Sequence, residues 1–307
     1  MSNNAILLTG ASGFLGGFLL REWTDHNVVT VGRSADCTVV ADLSREVPRL
    51  PNNLGNGFTV VHAAGKAHLV PRTTEEEQLF YATNVDGSRN LLTALEHLEY
   101  LPEAFVFIST VAVYGKESGE LIDESHPLNG ATPYARSKIM AEQIIAGWCL
   151  EHNVRLVILR LPLIVGKGAP GNLQTMTKWM KRGMYFGIGQ GMARKSMVLA
   201  SDVARQLLGL AAMGGVYNLT DGNHPAMREF EDAMANSLGI GKPLRFPEAA
   251  LRMAARLGDI LGDWFPLNTA RYLKLTSSLT FSDEKARLKA GWTSGPVIES
   301  LSKLNQH

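Results

Sequence analysis

Apolar residues in the first half of the chain come in short unbroken runs, separated by longer stretches with helical spacing. "AILLTG" (5–10), "VVTVGR" (28–33), "TVVADL" (38–43), "FTVVHAAG" (58–65) and "AFVFISTVAVYG" (104–115) predict strands, as does the opening of "VRLVILRLPLIVG" (154–166). Between them, "FLGGFLLREW" (14–23), the long region 73–98 and "PYARSKIMAEQIIAGWCLEH" (133–152) predict helices. A strand apolar at every position is buried on both faces, and intervening helices set such strands side by side in parallel. The pattern predicts an α/β fold with a doubly wound parallel sheet.

After about residue 167 the pattern changes to Gly-rich, basic and aromatic pieces such as "TKWMKRGMYFGIGQGMARKS". These alternate with "SDVARQLLGLAAM" (201–213) and "GVYNLT" (215–220), which still read as sheet elements. The expected division is 1–166 for the sheet domain, with returns near 198–221, and a smaller interleaved domain over 167–307. Residues after about 296 are expected to be loosely held. "AALRMAARLGDILGDWF" (249–265) carries Arg252, Arg256, Asp259 and Asp263, and reads as an amphipathic helix packed on its own domain rather than on a membrane surface. No window offers the ~20 apolar residues a membrane span needs.

Composition narrows the function. Hydrophobic residues make up 45% and charged residues 19%, the mix of a soluble globular protein. A net charge of +1 gives no global field toward nucleic acid or membrane, so neither is expected as a partner. Cys37 and Cys149 lack metal or redox spacing, which argues against a thiolate or metal centre and for a reducing compartment. The N-terminus lacks a basic region followed by an apolar run, so a cytoplasmic location is expected.

"LLTGASGFLGG" joins the first strand to the first helix and spaces Gly10, Gly13 and Gly16 three apart. Gly10 permits the tight turn, Gly13 lets backbone approach a pyrophosphate, and Gly16 permits close helix–strand packing. Backbone N–H groups at the helix start then bind phosphate without a basic side chain. Ser12, Phe14 and Leu15 lie in the same loop and first turn and are assigned to the dinucleotide with it. At the end of the second strand Arg33 and Ser34 stand where NAD-binding chains often carry a carboxylate. A cation and a hydroxyl suit a 2′-phosphate, so NADP(H) is favoured and NAD(H) remains possible. Asp42 and Leu43 fall where a carboxylate could accept from the adenine amine.

"TPYARSKIMAEQ" (132–143) places Tyr134 four residues before Lys138 on one helix face, with Thr132 as cap and Pro133 in the first turn. Alone, that spacing fits an ordinary surface pair. His62, in "VVHAAG", reads as a hydrogen-bonded structural histidine rather than a base. Tyr185, Phe186 and Trp264 read as core aromatics before stacking ones.

"TGASGFLG", "VVHAAG", "NVDGSRNLL", "STVAVYG", "PYARSK" and "LRLPLIVGKG" stand in the order found in extended short-chain dehydrogenases/reductases. The chain resembles, more narrowly, the NAD-dependent epimerase/dehydratase family that acts on nucleotide sugars. The resemblance implies a Rossmann domain with an interleaved C-terminal substrate domain. It makes Tyr134 the acid/base, Lys138 its partner and ribose ligand, and Thr110 the group that holds the substrate oxygen, with Ser109 as fallback. Asn84 would organise the site, and Ala63, Ala64 and Gly65 would let the cofactor pass. Asn172 and one of Arg194 and Lys195 would contact a nucleotide diphosphate, and a homodimer through 73–98 and 133–152 is implied. "IVGKG" departs from the family's "VYGPG"-like segment, so a different turn is expected there.

A free tyrosine has a pKa near ~10, and a nearby ammonium favours its phenolate. Family dehydratases carry an Asp-Glu pair after the threonine; Val111-Ala112 stands here, which argues against dehydration. Reduction of a 4-keto sugar nucleotide is the favoured expectation, through "VGRS". The alternatives are a UDP-hexose or N-acetylhexosamine 4-epimerase with tightly bound NAD, a sterol- or flavonoid-type dehydrogenase, and a non-catalytic dinucleotide-sensing or scaffold protein on the same fold.

Overall fold

The computed structural model describes residues 5–67, 71–261 and 268–303. The first strands are β1 (Ile6–Thr9), β2 (Val28–Gly32), β3 (Val39–Val40), β4 (Thr59–His62), β5 (Ala104–Thr110), β6 (Gly119–Ile122) and β7 (Arg155–Leu161). They are followed by β8 (Leu163–Val165), β9 (Phe186–Ile188), β10 (Met197–Leu199), β11 (Gly215–Asn218), β12 (Leu244–Phe246) and β13 (Leu279–Phe281). The helices begin with α1 (Phe14–Glu22), α2 (Thr74–Tyr81), α3 (Gly87–Glu96), α4 (Pro133–Glu151), α5 (Asn172–Lys181) and α6 (Ala200–Met213). They end with α7 (Met227–Ser237), α8 (Glu248–Leu261), α9 (Thr269–Thr276), α10 (Glu284–Ala290) and α11 (Val297–Lys303).

Seven strands form one parallel sheet in the order β11-β7-β5-β4-β1-β2-β3. This is the doubly wound sheet the apolar runs predict, now with its strand order. The order reverses beside β1, where the chain leaves β1 and β4 toward opposite sides and opens a crevice at their carboxyl ends. β1 is buried at every position. Ile6, Leu8, Val61, Val106 and Leu159 pack with α1 and α6 on one face; Leu7, Val60, Phe105 and Phe107 pack with α3 and α4 on the other. Each such side chain contributes about 1.5–3 kcal/mol on burial, so two full cores make the carboxyl edge a rigid platform.

Three local departures bear on the site. The strand expected over 38–43 shrinks to Val39–Val40, because the Asp42 carboxylate accepts from the Ser44 N–H (3.1 Å) and hydroxyl (2.7 Å) and turns the chain away. Region 73–98 is α2 and α3 joined by one π-helical turn, Ala82–Asp86, which holds Asn84. The described part of the chain after 296 is better anchored than expected, Val297 and Leu301 of α11 being buried; residues 304–307 lie outside the described residues. The helix expected over 249–265 is α8, Glu248–Leu261; Trp264 lies outside the described residues. Beyond β7, β8 pairs with β10, β9 with β12 and β6 with β13, while β11 returns to the main sheet.

Candidate active site

The glycine loop lies in the crevice beside β1. Gly10 has φ +76°, and a Cβ there would sit 2.5 Å from the Ala64 nitrogen and 2.6 Å from the Ala63 carbonyl carbon. Only a residue without Cβ lets the ends of β1 and β4 approach this closely. A Cβ on Gly16 would stand 2.1 Å from the Gly10 carbonyl oxygen, so α1 presses directly on the loop. Leu15 is buried beneath it, Phe14 is half-buried, and Ser12 and Gly13 are exposed. Gly13 is the N-cap of α1 and supplies no side-chain cap, so the first N–H groups of α1 keep their free direction toward the crevice. These observations fit a dinucleotide pyrophosphate.

At the end of β2, Arg33 is exposed, and the Ser34 hydroxyl donates to Asp36 (3.2 Å). The Ser44 hydrogen bonds hold the Asp42 carboxyl below its usual range, with a smaller contribution from the Arg33 charge. Leu43 is buried, and its carbonyl accepts from Asn90 (2.8 Å).

Tyr134 reaches the edge through the first turn of α4. The Thr132 hydroxyl accepts from the Ala135 N–H (3.2 Å), and Pro133 occupies the first turn, as the residues predict. The preceding loop is clamped to the turn after β5 by the Gly130 N–H donating to the Val113 carbonyl (2.9 Å). Thr110 ends β5, and its hydroxyl accepts from the Ala112 N–H (3.2 Å). The Thr110 hydroxyl stands near enough to the Tyr134 phenol to act on its ionisation. Burial raises the Tyr134 pKa, and the Thr110 hydroxyl opposes it. The Tyr134 ring packs against Phe80 of α2, centroids 6.0 Å apart.

Lys138 is buried one turn further on. Its ammonium donates to the Ile108 carbonyl (2.7 Å) and lies 4.1 Å from the centre of the Phe107 ring. Burial pulls its pKa down to about 7, and the Glu142 carboxylate works the other way. A Cβ on Gly65 would sit 3.1 Å from the Asn84 amide oxygen and 3.5 Å from Lys138 Nζ, so these three residues meet. The Asn84 amide donates to Ser137 (2.8 Å) and to the Lys66 carbonyl (3.2 Å), and its oxygen accepts from the Lys66 N–H (2.8 Å). Ser137 donates to the Tyr134 carbonyl (2.8 Å), which ties the π turn to the start of α4. A π turn at such a place displaces one residue out of helical register, here the one that braces the tyrosine's helix.

His62 is structural, in line with the sequence reading. It is buried between Thr9 (2.7 Å) and Ser88 (3.0 Å), and burial drives its pKa to about 3, so it is neutral. The fallback Ser109 is committed elsewhere, donating to Glu142. That carboxylate also takes Arg160 through Nη2 (2.7 Å) and Nε (3.2 Å). Arg160 donates to the Tyr114 hydroxyl (3.1 Å), which donates to Asn218 (2.7 Å). Sequence reasoning missed this network. Its one signal is a charged residue inside the apolar strand "VILRLPLIV", since a buried arginine requires a partner.

The expected diphosphate residues lie in the later part of the chain, where the two cations have partners of their own. Asn172 is exposed at the first position of α5. Arg194 donates to the His224 carbonyl (3.1 Å), and Lys195 to the Lys274 carbonyl (3.3 Å). Tyr185 bonds Glu231 (2.8 Å), and Phe186 is exposed rather than in the core.

A sequence model of the NAD dependent epimerase/dehydratase family matches residues 6–219. The chain belongs to this family. It is an NAD(P)-dependent enzyme of the epimerase and reductase type. One relative in the family, an N-acetyl-alpha-D-glucosaminyl-diphospho-ditrans,octacis-undecaprenol 4-epimerase of Escherichia coli O157:H7, is 28% identical over 92% of this chain and 88% of its own length. Another, the GDP-6-deoxy-D-mannose reductase of Pseudomonas aeruginosa, is 26% identical over 92% of this chain and 98% of its own. Among solved structures, RMD from Pseudomonas aeruginosa complexed with NADPH has the same fold, with a TM-score of 0.71 at 21% identity over 98% of both chains.

Proposed function

We propose that the chain reduces a keto group at C4 of a sugar held through its diphosphate, with Tyr134 as proton donor and NADPH as reductant. The observation that carries this reading is the Thr110–Tyr134 pair standing on the same edge as the glycine cradle, with Lys138 buried one turn away. The cofactor supplies the hydride when bound. Thr110 holds the substrate oxygen, and Tyr134 gives its proton to the alkoxide that develops there. Lys138 in its charged form lowers the cost of the phenolate that remains, and Glu142 opposes the loss of that charge to burial. Asn84 and Ser137 fix the helix start so that the tyrosine oxygen keeps its place.

Arg33 and Ser34, standing directly after β2 where a carboxylate would select a ribose hydroxyl, favour a 2′-phosphate and hence NADPH. Asn172, with Arg194 or Lys195, belongs to the diphosphate side of this reading. So does the division into 1–166, with returns near 198–221, and a mainly substrate-binding 167–307. Arg194 and Lys195 would exchange their carbonyl partners for phosphate oxygens. The proposed homodimer through α2–α3 and α4 is tested by light scattering.

A second reading is 4-epimerisation with a retained dinucleotide. It is favoured by the Escherichia coli relative, whose sugar diphosphate hangs on a polyprenol. The sugar diphosphate is common to both readings; its carrier, nucleotide or polyprenol, is not. Stoichiometry separates them: one NADPH consumed per sugar supports reduction, and turnover with no net cofactor change supports epimerisation. If neither a 4-keto nor a 4-hydroxy sugar diphosphate turns over, both readings fail.

A further inference from the structure

Acidic and basic residues are nearly equal in number, 29 against 30, yet none of the acidic ones falls between Glu151 and Asp202. Arg155 and Arg160, in that interval, are matched by Glu103 just before β5 and by Glu142 of α4. The other cations there are Lys167, Lys178, Lys181, Arg182, Arg194 and Lys195. The chain balances its charge overall and concentrates one sign here.

The same segment turns apolar side chains outward. β9 and β12 pair with Phe186 opposite Leu244 and Phe246 opposite Ile188. Strand alternation sends Gly187 and Arg245 inward, where Arg245 pairs with the buried Glu231 of α7. Phe186, Leu244 and Phe246 are therefore on the opposite face, exposed at 41%, 73% and 46%, and the two rings touch at 4.7 Å. A ribbon with one wet face ordinarily carries polar residues there. Just before it, the Met184 N–H donates to the Trp179 carbonyl (3.0 Å), holding the turn that ends α5. Trp179 and Met184 are exposed, with Lys178, Lys181 and Arg182 exposed around them. α8 starts two residues after β12 and also turns apolar side chains outward: Met253 and Leu257, one turn apart, are exposed, beside Arg256 and beside Arg252, which pairs with Glu248 (2.9 Å).

We propose that the β9–β12 ribbon and the end of α5 seat on an anionic lipid surface, Phe186, Leu244, Phe246 and Trp179 entering the interface and Lys178, Lys181 and Arg182 meeting lipid phosphates. Tryptophan, aliphatic side chains and cations at one level match an interface of headgroups over hydrocarbon. A second copy of this chain is a poor occupant, because a two-fold contact through this patch would set cations against the same cations. Nucleic acid would satisfy the lysines and leave Leu244 and Met184 without apolar cover. The surface also fits the substrate: α5 carries Asn172 at its start and Lys181 at its end, a span of roughly 13 Å. A sugar diphosphate on a polyprenol presents its phosphates at headgroup level, so docking would bring that diphosphate to α5. The choice of polyprenol as carrier rests on the sugar-diphosphate reading above; the docking surface rests on its own residues.

The test is flotation of the full chain with vesicles of phosphatidylcholine alone and of phosphatidylcholine with phosphatidylglycerol. The wild type should float with the anionic vesicles and not with the neutral ones. Two variants, Lys178→Glu/Lys181→Glu/Arg182→Glu and Phe186→Ser/Phe246→Ser, should each lower partition at least about tenfold. Each should keep the wild-type circular dichroism, and the charge variant should also keep its turnover of a water-soluble sugar nucleotide. Equal partition of wild type and variants, or no anionic binding by the wild type, would overturn the proposal. So would a charge-variant defect that appears only in dimerisation by light scattering, or only in binding of single-stranded nucleic acid. Normal flotation with no turnover of a polyprenyl-diphosphate sugar would leave the surface standing and reject the polyprenol as carrier.

Discussion

At the carboxyl edge of the sheet, charged side chains lie inside the protein and are met. Glu142 takes Ser109 and both sides of the Arg160 fork, and Lys138 is held on a carbonyl and an aromatic face. In the β9–β12 ribbon and the end of α5 the arrangement is inverted: apolar side chains face water, and the cations around Trp179 have no acidic neighbour in sequence. A buried charge is tolerable only when hydrogen-bonded and opposed, so the first region must be rigid to function. An exposed apolar face adds little to folding, so the second region is free to serve contact with something outside the chain.

Five substitutions separate the two regions. Tyr134→Phe removes one oxygen at the rigid edge and should lower kcat by about 10²–10⁴-fold with little change in cofactor binding, measured by steady-state kinetics and cofactor fluorescence. His62 comes next. Its folded pKa of about 3 lies below the ordinary 6.5, so the unfolded chain binds the extra proton between those values. Stability held above pH 6.5 is therefore lost as pH falls toward 3, by roughly 5 kcal/mol from this residue. His62→Gln should flatten the acid limb of urea-unfolding free energy against pH; parallel curves would refute the assignment.

Glu142→Gln strands Arg160 and should cost about 3–5 kcal/mol in urea unfolding. Because Glu142 raises the Lys138 pKa, the alkaline limb of kcat in the surviving enzyme should move to lower pH. An unmoved limb would separate Glu142 from the lysine. Arg33→Asp should shift the NADPH-to-NADH preference by about tenfold or more, the worth of one charge-assisted contact. Leu244→Ser, on the inverted side, should change stability by no more than about 0.5 kcal/mol. A larger loss would mean the ribbon is part of the folding core.

The edge was largely legible in sequence because its signals are local. The glycine spacing, the cap at Thr132 and the i,i+4 step from Tyr134 to Lys138 each lie within one element and its junction. The Glu142–Arg160 network was not, because its members come from a helix, two strands, a turn and the edge strand β11, and only Arg160 announces itself. The π turn around Asn84 left no mark, since a one-residue slip does not disturb an apolar pattern over 73–98. Strand 38–43 is shorter than its apolar run predicts because the run does not show the turn that the Asp42 carboxylate makes with Ser44. The ribbon escaped notice for a different reason: three-residue strands are too short to show a period, and Phe186 looked like a core aromatic.

In the proposed reaction the Thr110–Tyr134–Lys138 edge directs hydride to C4 of a diphosphate-linked sugar. This is tested most directly by supplying the protein with NADPH deuterated at its transferable position and a 4-keto hexosamine diphosphate, on UDP and on a polyprenol. The product is then read by NMR. One deuterium at C4 with a single configuration and one NADPH consumed per product are expected, with label incorporation slowed by about 10²–10⁴-fold in Tyr134→Phe. A product without deuterium at C4, or label incorporated at the wild-type rate in Tyr134→Phe, would contradict the proposed reaction.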